Sequence, residues 1–257
     1  MHRSTLFKWD NIESSVLKLH SIKINIDKTK ENFVSSRNLV TDRINDKFYL
    51  QKIEKEAMSF TLEFGSEEIF TEERIEELAR IFILDRYADL ITYDNLHIYN
   101  CIATSSEFNV YSNGYSLSLD MVCSSPYSTS PWMTETRYVT TTTDITINNQ
   151  GSIPCFPIFE IIPLTTGATI RITNLTNGGQ WFELKTDSNG HQLYKDEIIK
   201  IDMEKNKLNV DLIKTLGQYR YSNITDGSTF FSLVTGNNIL RVNACNLKIK
   251  YRYFYLT

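Results

Sequence analysis

The amino-acid sequence predicts a mainly β protein: a β-sandwich or sheet domain carrying one α-helix, followed by a second, many-turned β-sandwich or jelly roll. Three observations predict it. Apolar and polar residues alternate with period two over long stretches, a single segment has the 3.6-residue period of a helix, and turn-forming residues crowd into the second half. All five prolines (Pro126, Pro131, Pro154, Pro157 and Pro163) fall between 126 and 163, and eight of the ten glycines follow residue 150. Charge divides at the same place. Residues 1–130 carry 14 Lys and Arg against 20 Asp and Glu, net −6, whereas residues 131–257 carry 13 against 11, net +2. In a chain of 257 residues, longer than the usual domain of ~100–200, this seam at 126–131 predicts two domains, 1–130 and 131–257.

Taken in order, Ile22, Ile24 and Ile26 alternate with Lys23, Asn25 and Asp27, and Phe60, Leu62 and Phe64 alternate with Thr61 and Glu63. Tyr115, Leu117, Leu119, Met121 and Cys123 share one face opposite Ser116, Ser118 and Asp120. Successive side chains of a strand point to opposite faces, so each segment reads as a half-buried strand. Residues 27–46 are polar, lack Gly and Pro, and fit a long loop or an extended arm. Over 71–84, Ile75, Leu78, Ala79 and Phe82 recur at helical spacing, with Thr71 placed to cap and Glu72 and Glu73 where the helix dipole favours anions. After a small, polar linker, Asn177-Gly178-Gly179, Asn189-Gly190, Asp226-Gly227 and Gly236-Asn237 supply turn chemistry, because Gly and Asn tolerate positive φ. The last strand aligns Leu247, Ile249, Tyr251, Tyr253 and Tyr255 on one face and Lys248, Lys250 and Arg252 on the other.

Several functions are set aside by composition. No apolar run approaches the ~18 residues of a membrane helix, and the N-terminus has no apolar core of a secretory signal. A pI near 5.7 without a Lys/Arg cluster argues against a nucleic-acid-binding surface. Cys101, Cys123, Cys155 and Cys245 follow no metal or redox spacing and are expected as buried reduced thiols. His2, His20, His97 and His191 are scattered, and no nucleophile elbow, phosphate loop or dinucleotide fingerprint is present. Neither catalytic residues nor a metal or cofactor is expected. Asp187-Ser188-Asn189-Gly190 begins like a calcium loop, but Gln192 and Ile198 stand where an EF-hand needs Gly and Glu, so a hairpin tip is the better reading. Asn174-Leu175-Thr176 and Asn223-Ile224-Thr225 match the glycosylation sequon and read as chance matches. Trp181, Tyr219 and Tyr221 lie near turns, where exposed aromatics can stack on sugars; residence in the core is the commoner fate of such residues.

Four stretches together carry a family resemblance: Lys55-Glu56-Ala57-Met58-Ser59-Phe60-Thr61-Leu62-Glu63-Phe64, Tyr87-Ala88-Asp89-Leu90-Ile91-Thr92-Tyr93-Asp94-Asn95, Leu119-Asp120-Met121-Val122-Cys123-Ser124-Ser125-Pro126-Tyr127, and the closing run from Gly236-Asn237-Asn238-Ile239-Leu240 to Tyr253. Their order and spacing resemble the distal tail proteins of siphovirus-type bacteriophages of Gram-positive hosts. Gly151-Ser152-Ile153-Pro154 and Pro157 open the second domain in the same pattern, and residues 21–48 depart from it.

The resemblance implies a structural virion protein at the tail tip, not an enzyme, made in the host cytoplasm. N-terminal domains of such proteins form a hexameric ring around a DNA channel, and galectin-like C-terminal sandwiches project outward. The implied partners are further copies of the chain, the major tail tube protein, the tail-associated spike or lysin protein, and receptor-binding or baseplate proteins. DNA would pass without specific binding, and no membrane insertion is implied. A net −6 on the ring domain would make the lumen acidic and repel phosphates. An arm or hairpin over 37–50, with Arg37, Asn38, Leu39, Val40, Arg43, Phe48 and Tyr49, is expected to pair with a neighbouring subunit. The closing run from Gly236 is expected as a hairpin. The other readings are a carbohydrate-binding tail protein acting through Trp181, Tyr219 and Tyr221 and, more weakly, a sandwich-type glycoside hydrolase.

Overall fold

The computed structural model describes residues 2–4, 6–26, 36–42, 47–54, 57–66, 68–93, 97–111, 114–203, 207–209, 221–243 and 245–255. The chain divides into two compact units, the first ending at Thr129 and the second running Ser130–Tyr255. Along the first lie β1 (His2–Ser4), β2 (Phe7–Trp9), β3 (Ile12–Glu13), β4 (His20–Ile26), β5 (Ser36–Asp42), β6 (Lys47–Glu54), β7 (Ser59–Ser66), α1 (Glu72–Phe82), β8 (Ala88–Thr92), β9 (His97–Tyr111), β10 (Gly114–Cys123) and β11 (Ser128–Thr129).

The long sheet of this unit has the order β1-β4-β7-β10-β9-β8-β2-β3. Its register places apolar residues opposite apolar residues: Phe60 faces Met121, Leu62 faces Leu119, and Phe64 faces Leu117. All six are buried, as the period-two pattern requires, and such cross-strand pairs are what fix a register. The sheet does not stay flat. Phe7 on β2 lies 4.9 Å, ring centre to ring centre, from Phe64 on β7, although three strands, β10, β9 and β8, separate β2 and β7 in the sheet order. The sheet therefore curls over its own core, as right-handed strand twist favours.

Helix α1 fills that core. Leu78 and Phe82 are buried, and Phe82 packs against Trp9 and Phe64 at 5.5 and 5.4 Å. Thr71 caps it, its hydroxyl accepting from the Arg74 amide at 3.3 Å. The helix stops at Phe82, two residues short of the 71–84 expected from spacing. The Ile83 amide still bonds to the Ala79 carbonyl, but Ile83 has left helical geometry at φ −87° and ψ 89°. Trp9 Nε1 donates to the Ile81 carbonyl at 2.9 Å, tying the last turn to β2. Burying each large apolar side chain contributes ~1.5–3 kcal/mol, so the helix is held by its packing face.

The second unit contains β12 (Met133–Val139), β13 (Thr143–Asn149), β14 (Ile158–Pro163), β15 (Ile170–Asn174), β16 (Gln180–Leu184), β17 (Ile199–Asp202), β18 (Lys207–Asn209), a 3-10 turn at Tyr221–Asn223, β19 (Gly236–Val242), β20 (Cys245–Tyr251) and β21 (Phe254–Tyr255). Two sheets, β12-β20-β14-β17-β18 and β13-β19-β15-β16, face each other. One core joins them, with Phe159, Ile161, Ile199, Ile201, Leu247 and Ile249 from the first and Ile145, Ile147, Ile172, Phe182, Leu240 and Val242 from the second. This is a β-sandwich, and the fold is mainly β with one helix among the described residues.

Two local expectations change. The closing run is not a hairpin: β19 pairs with β13 and β15, whereas β20 pairs with β12 and β14. Asn243 explains the parting. Its amide donates to the Arg171 carbonyl and its side chain bonds to the Arg171 amide and the Thr169 carbonyl, holding the end of β19 to β15 while Cys245 joins Pro163 on β14. The Asp187–Gly190 segment is likewise no hairpin tip, because β16 and β17, which flank it, belong to different sheets. It is a tight turn in a sheet-to-sheet connection, with Gly190 at φ +81°.

Candidate assembly surfaces

The expected arm is a two-stranded ribbon. β5 and β6 pair with each other antiparallel, with Val40 opposite Tyr49 and Thr41 opposite Phe48, and with no other described strand. A register shift follows Asn38, so that Leu39 faces Leu50 and Asn38 faces Lys52. Arg37, Asn38, Leu39 and Val40 thus lie on β5, and Phe48 and Tyr49 on β6; Arg43 lies outside the described residues. The ribbon is inserted between β4 and β7, which are sheet neighbours with Ile26 opposite Phe60. An isolated two-stranded ribbon is marginal in water, and among the described residues no strand pairs with either outer edge, so a further strand can be taken up there.

Tyr219 lies outside the described residues, and Tyr221 sits in the 3-10 turn. Trp181 stands on β16, where its ring already has partners. The Arg171 guanidinium covers one face at 4.1 Å from the ring centre, and Arg171 also approaches Glu183 at 3.8 Å. Against the ring edge lies Gly227, at φ +84°; a Cβ there would meet Trp181 Cζ2 at 3.5 Å. A ring stacked beneath a cation is not a free platform for a sugar.

Both sequon asparagines are structural. Asn174 is buried; its Oδ1 accepts from the Thr176 and Asn177 amides and its Nδ2 donates to the Ser232 carbonyl. Asn223 is buried too, donating to the Lys185 and His191 carbonyls at 2.8 Å each. Asp187 organises the neighbouring turn. Its Oδ1 accepts from the Asn189 and His191 amides at 2.9 and 2.8 Å, and His191 Nδ1 lies 2.7 Å from Oδ2. Desolvation pushes this carboxyl up, but hydrogen bonds from His191, Ser222 and Asn189 outweigh it and hold the group at about 2.

Sequence reasoning did not single out Trp132, Met133 and Tyr138, which stand exposed at and just before the edge strand β12. Arg252 lies over Trp132 at 4.9 Å and over Phe254 at 5.3 Å. Only the Pro131-Trp132 junction could have hinted at them. The glutamates of α1 are solvated, and two of them pair along the helix: Glu76 with Arg80 at 3.3 Å, and Glu77 with Arg74. Among the described residues, no group of three or more His, Cys, Asp or Glu side chains is placed to hold a metal ion, and no helix is long and apolar enough to cross a membrane.

Comparison with known proteins follows the same two-part division. Residues 2–125 match the family described as phage tail protein N-terminal domain. No curated protein sequence matches the chain significantly. Among solved structures, the SPP1 Dit protein, described as a paradigm of the hub adsorption apparatus in phages infecting Gram-positive bacteria, superposes with a TM-score of 0.71 at 13% identity, covering 100% of both chains. A chain of the phage P2 baseplate, solved in its activated conformation, reaches a TM-score of 0.46 at 10% identity over 98% of both chains. Residues 2–125 thus match a phage tail protein N-terminal domain, and the chain as a whole shares the fold of the SPP1 Dit protein.

Proposed function

We propose that the protein is a hub subunit of a phage tail tip. Its first unit closes with further copies into a homohexameric ring around a channel for DNA, and its second, a galectin-like sandwich, stands as a platform for receptor-binding or baseplate proteins. The ring joins the tail tube to the tail-associated spike or lysin protein, and the function is geometric rather than enzymatic. The observation that carries this reading is the likeness to SPP1 Dit over the whole of both chains. The β5–β6 ribbon supports it, since a ribbon with no strand partner of its own among the described residues suits an arm laid on a neighbouring copy. The acidic first half suits a lumen through which DNA slides, because like charges repel the phosphate backbone.

Electron microscopy and mass photometry of the purified full chain test the proposal, with a variant in which residues 36–54 give way to a short Gly-Ser linker. Six-fold rings with a central hole are expected from the full chain, and folded monomers from the variant. A full chain that stays monomeric at tens of micromolar would overturn the ring, and rings unchanged in the variant would overturn the role of the ribbon.

A further inference from the structure

Cys101 on β9 and Cys123 on β10 are direct cross-strand partners, and both are buried and free. Which kind of pair they form follows from the hydrogen bonds around them. The Cys123 amide turns away from β9 and donates to the Met58 carbonyl at 2.8 Å, while the next amide, Ser124, turns back and donates to the Asn100 carbonyl at 2.8 Å. Cys101 in turn is paired on its other side with Ala88 of β8. The two cysteines therefore occupy a non-hydrogen-bonded site of the ladder, where Cα atoms of opposed residues stand about 4.5 Å apart and side chains come closest. That spacing falls within the roughly 4.4–6.8 Å that a disulfide spans. The neighbouring Cys123 thiol and then burial push the Cys101 thiol well above its ordinary range. Cys101 Sγ also lies 3.5 Å from the Tyr99 carbonyl oxygen.

We propose that Cys101 and Cys123 form a cross-strand disulfide when the protein meets a small-molecule disulfide such as oxidised glutathione, locking β9 to β10. One thiol loses its proton and attacks the small disulfide, breaking its S–S bond, forming a mixed disulfide and releasing one thiolate. The second cysteine, likewise deprotonated, attacks the protein-side sulfur and releases the other thiolate. The two protons pass to the two released thiolates, and two electrons move from the cysteine pair to the oxidant. Burial makes the first attack slow and confines it to moments when the strand end at Ser124 opens. The geometry does not depend on the tail-hub reading, although that reading supplies an occasion: a protein made in a reducing cell that works outside it. Cys155 and Cys245, also buried, are not strand partners of each other; their partners are Leu233 and, on β14, Pro163.

The test uses the full chain, exposed to oxidised glutathione both in the native state and during refolding from denaturant, with thiols counted after unfolding and bridged peptides mapped by mass spectrometry. Expected are two titratable thiols in place of four, a Cys101–Cys123 peptide, and a rise in Tm on the order of 5–10 °C that reductant reverses. Cys101→Ala and Cys123→Ala should each lose that rise. Should the bond form only on refolding, with the same gain in Tm, the fold accepts it and burial sets the rate. Four thiols persisting by both routes, a bridge between other cysteines, or a bridged chain with a lower Tm would overturn the proposal.

Discussion

Asn149 offers a perturbation whose size can be worked from distances alone. At the end of β13, fully buried, its Nδ2 donates to the Ile153 carbonyl at 3.0 Å and the Leu233 carbonyl at 3.1 Å, and its Oδ1 accepts from the Gly151 amide at 3.0 Å. The Gly151 donor fixes which end of the amide is oxygen. Asn149→Asp keeps the shape and the Oδ1 bond but turns the donor into a carboxylate oxygen facing two carbonyl oxygens. The Ile153 carbonyl loses this donor, the Leu233 carbonyl keeps only the Cys155 amide, and a charge is stranded, so a loss of ~3–5 kcal/mol is expected at neutral pH. With a urea m-value of ~1–3 kcal/mol/M, the midpoint for this unit should fall by roughly 2 M. The deficit must also depend on pH with a definite sign. Burial raises the new carboxyl above the ~3.9 of an unfolded Asp. As pH falls through the raised value, the folded state takes up a proton that the unfolded state does not, the O–H again donates to one carbonyl, and stability partly returns. Urea unfolding at pH 7 and pH 5 checks both points. A midpoint equal to that of the unsubstituted protein, or a deficit identical at the two pH values, would refute the account of Asn149 as a buried brace.

Two further outcomes probe the other elements. Asp187, held at about 2 against an unfolded value of ~3.9, contributes stability that is complete above pH ~4 and lost as pH falls through its folded value; comparing acid denaturation with that of Asp187→Asn should show the unsubstituted protein's advantage vanishing over that window. Trp9→Phe removes the donor to the Ile81 carbonyl while keeping an aromatic ring against Phe82, so a loss of ~1–3 kcal/mol is expected in the thermal unfolding of the first unit.

Much of the first unit was legible because its information is local. Phe60, Leu62 and Phe64, and Leu117, Leu119, Met121 and Cys123, alternate with polar neighbours, and burial follows that alternation. The capping hydroxyl of Thr71 and the apolar spacing to Phe82 likewise act within one turn of chain or its own face. The ribbon was half legible: a polar stretch without Gly or Pro marks a loop or an arm, but the register that pairs Val40 with Tyr49 is set across the ribbon and not by local sequence. Sequence position leaves Trp181 open between a sugar platform and the core, and only the arrival of Arg171 from β15 and Gly227 from a distant loop shows what its ring packs against.

The sequence by itself determined the strands, the helix and the family likeness, because side-chain period, capping and turn residues act over a few residues at a time. Tertiary structure alone decided which strands pair. A two-residue link between β19 and β20 serves a hairpin or a crossing between sheets equally well, and the choice falls to Asn243, bonded to Arg171 and Thr169, far away in sequence. The same holds for the buried asparagines. Asn149, Asn174, Asn223 and Asn238 carry the polarity of surface turns, yet each is enclosed because backbone groups remote in sequence or just beyond a turn converge on it. A polar side chain is buried readily when hydrogen bonds are returned to it, and the partners that return them are brought together only by the completed fold.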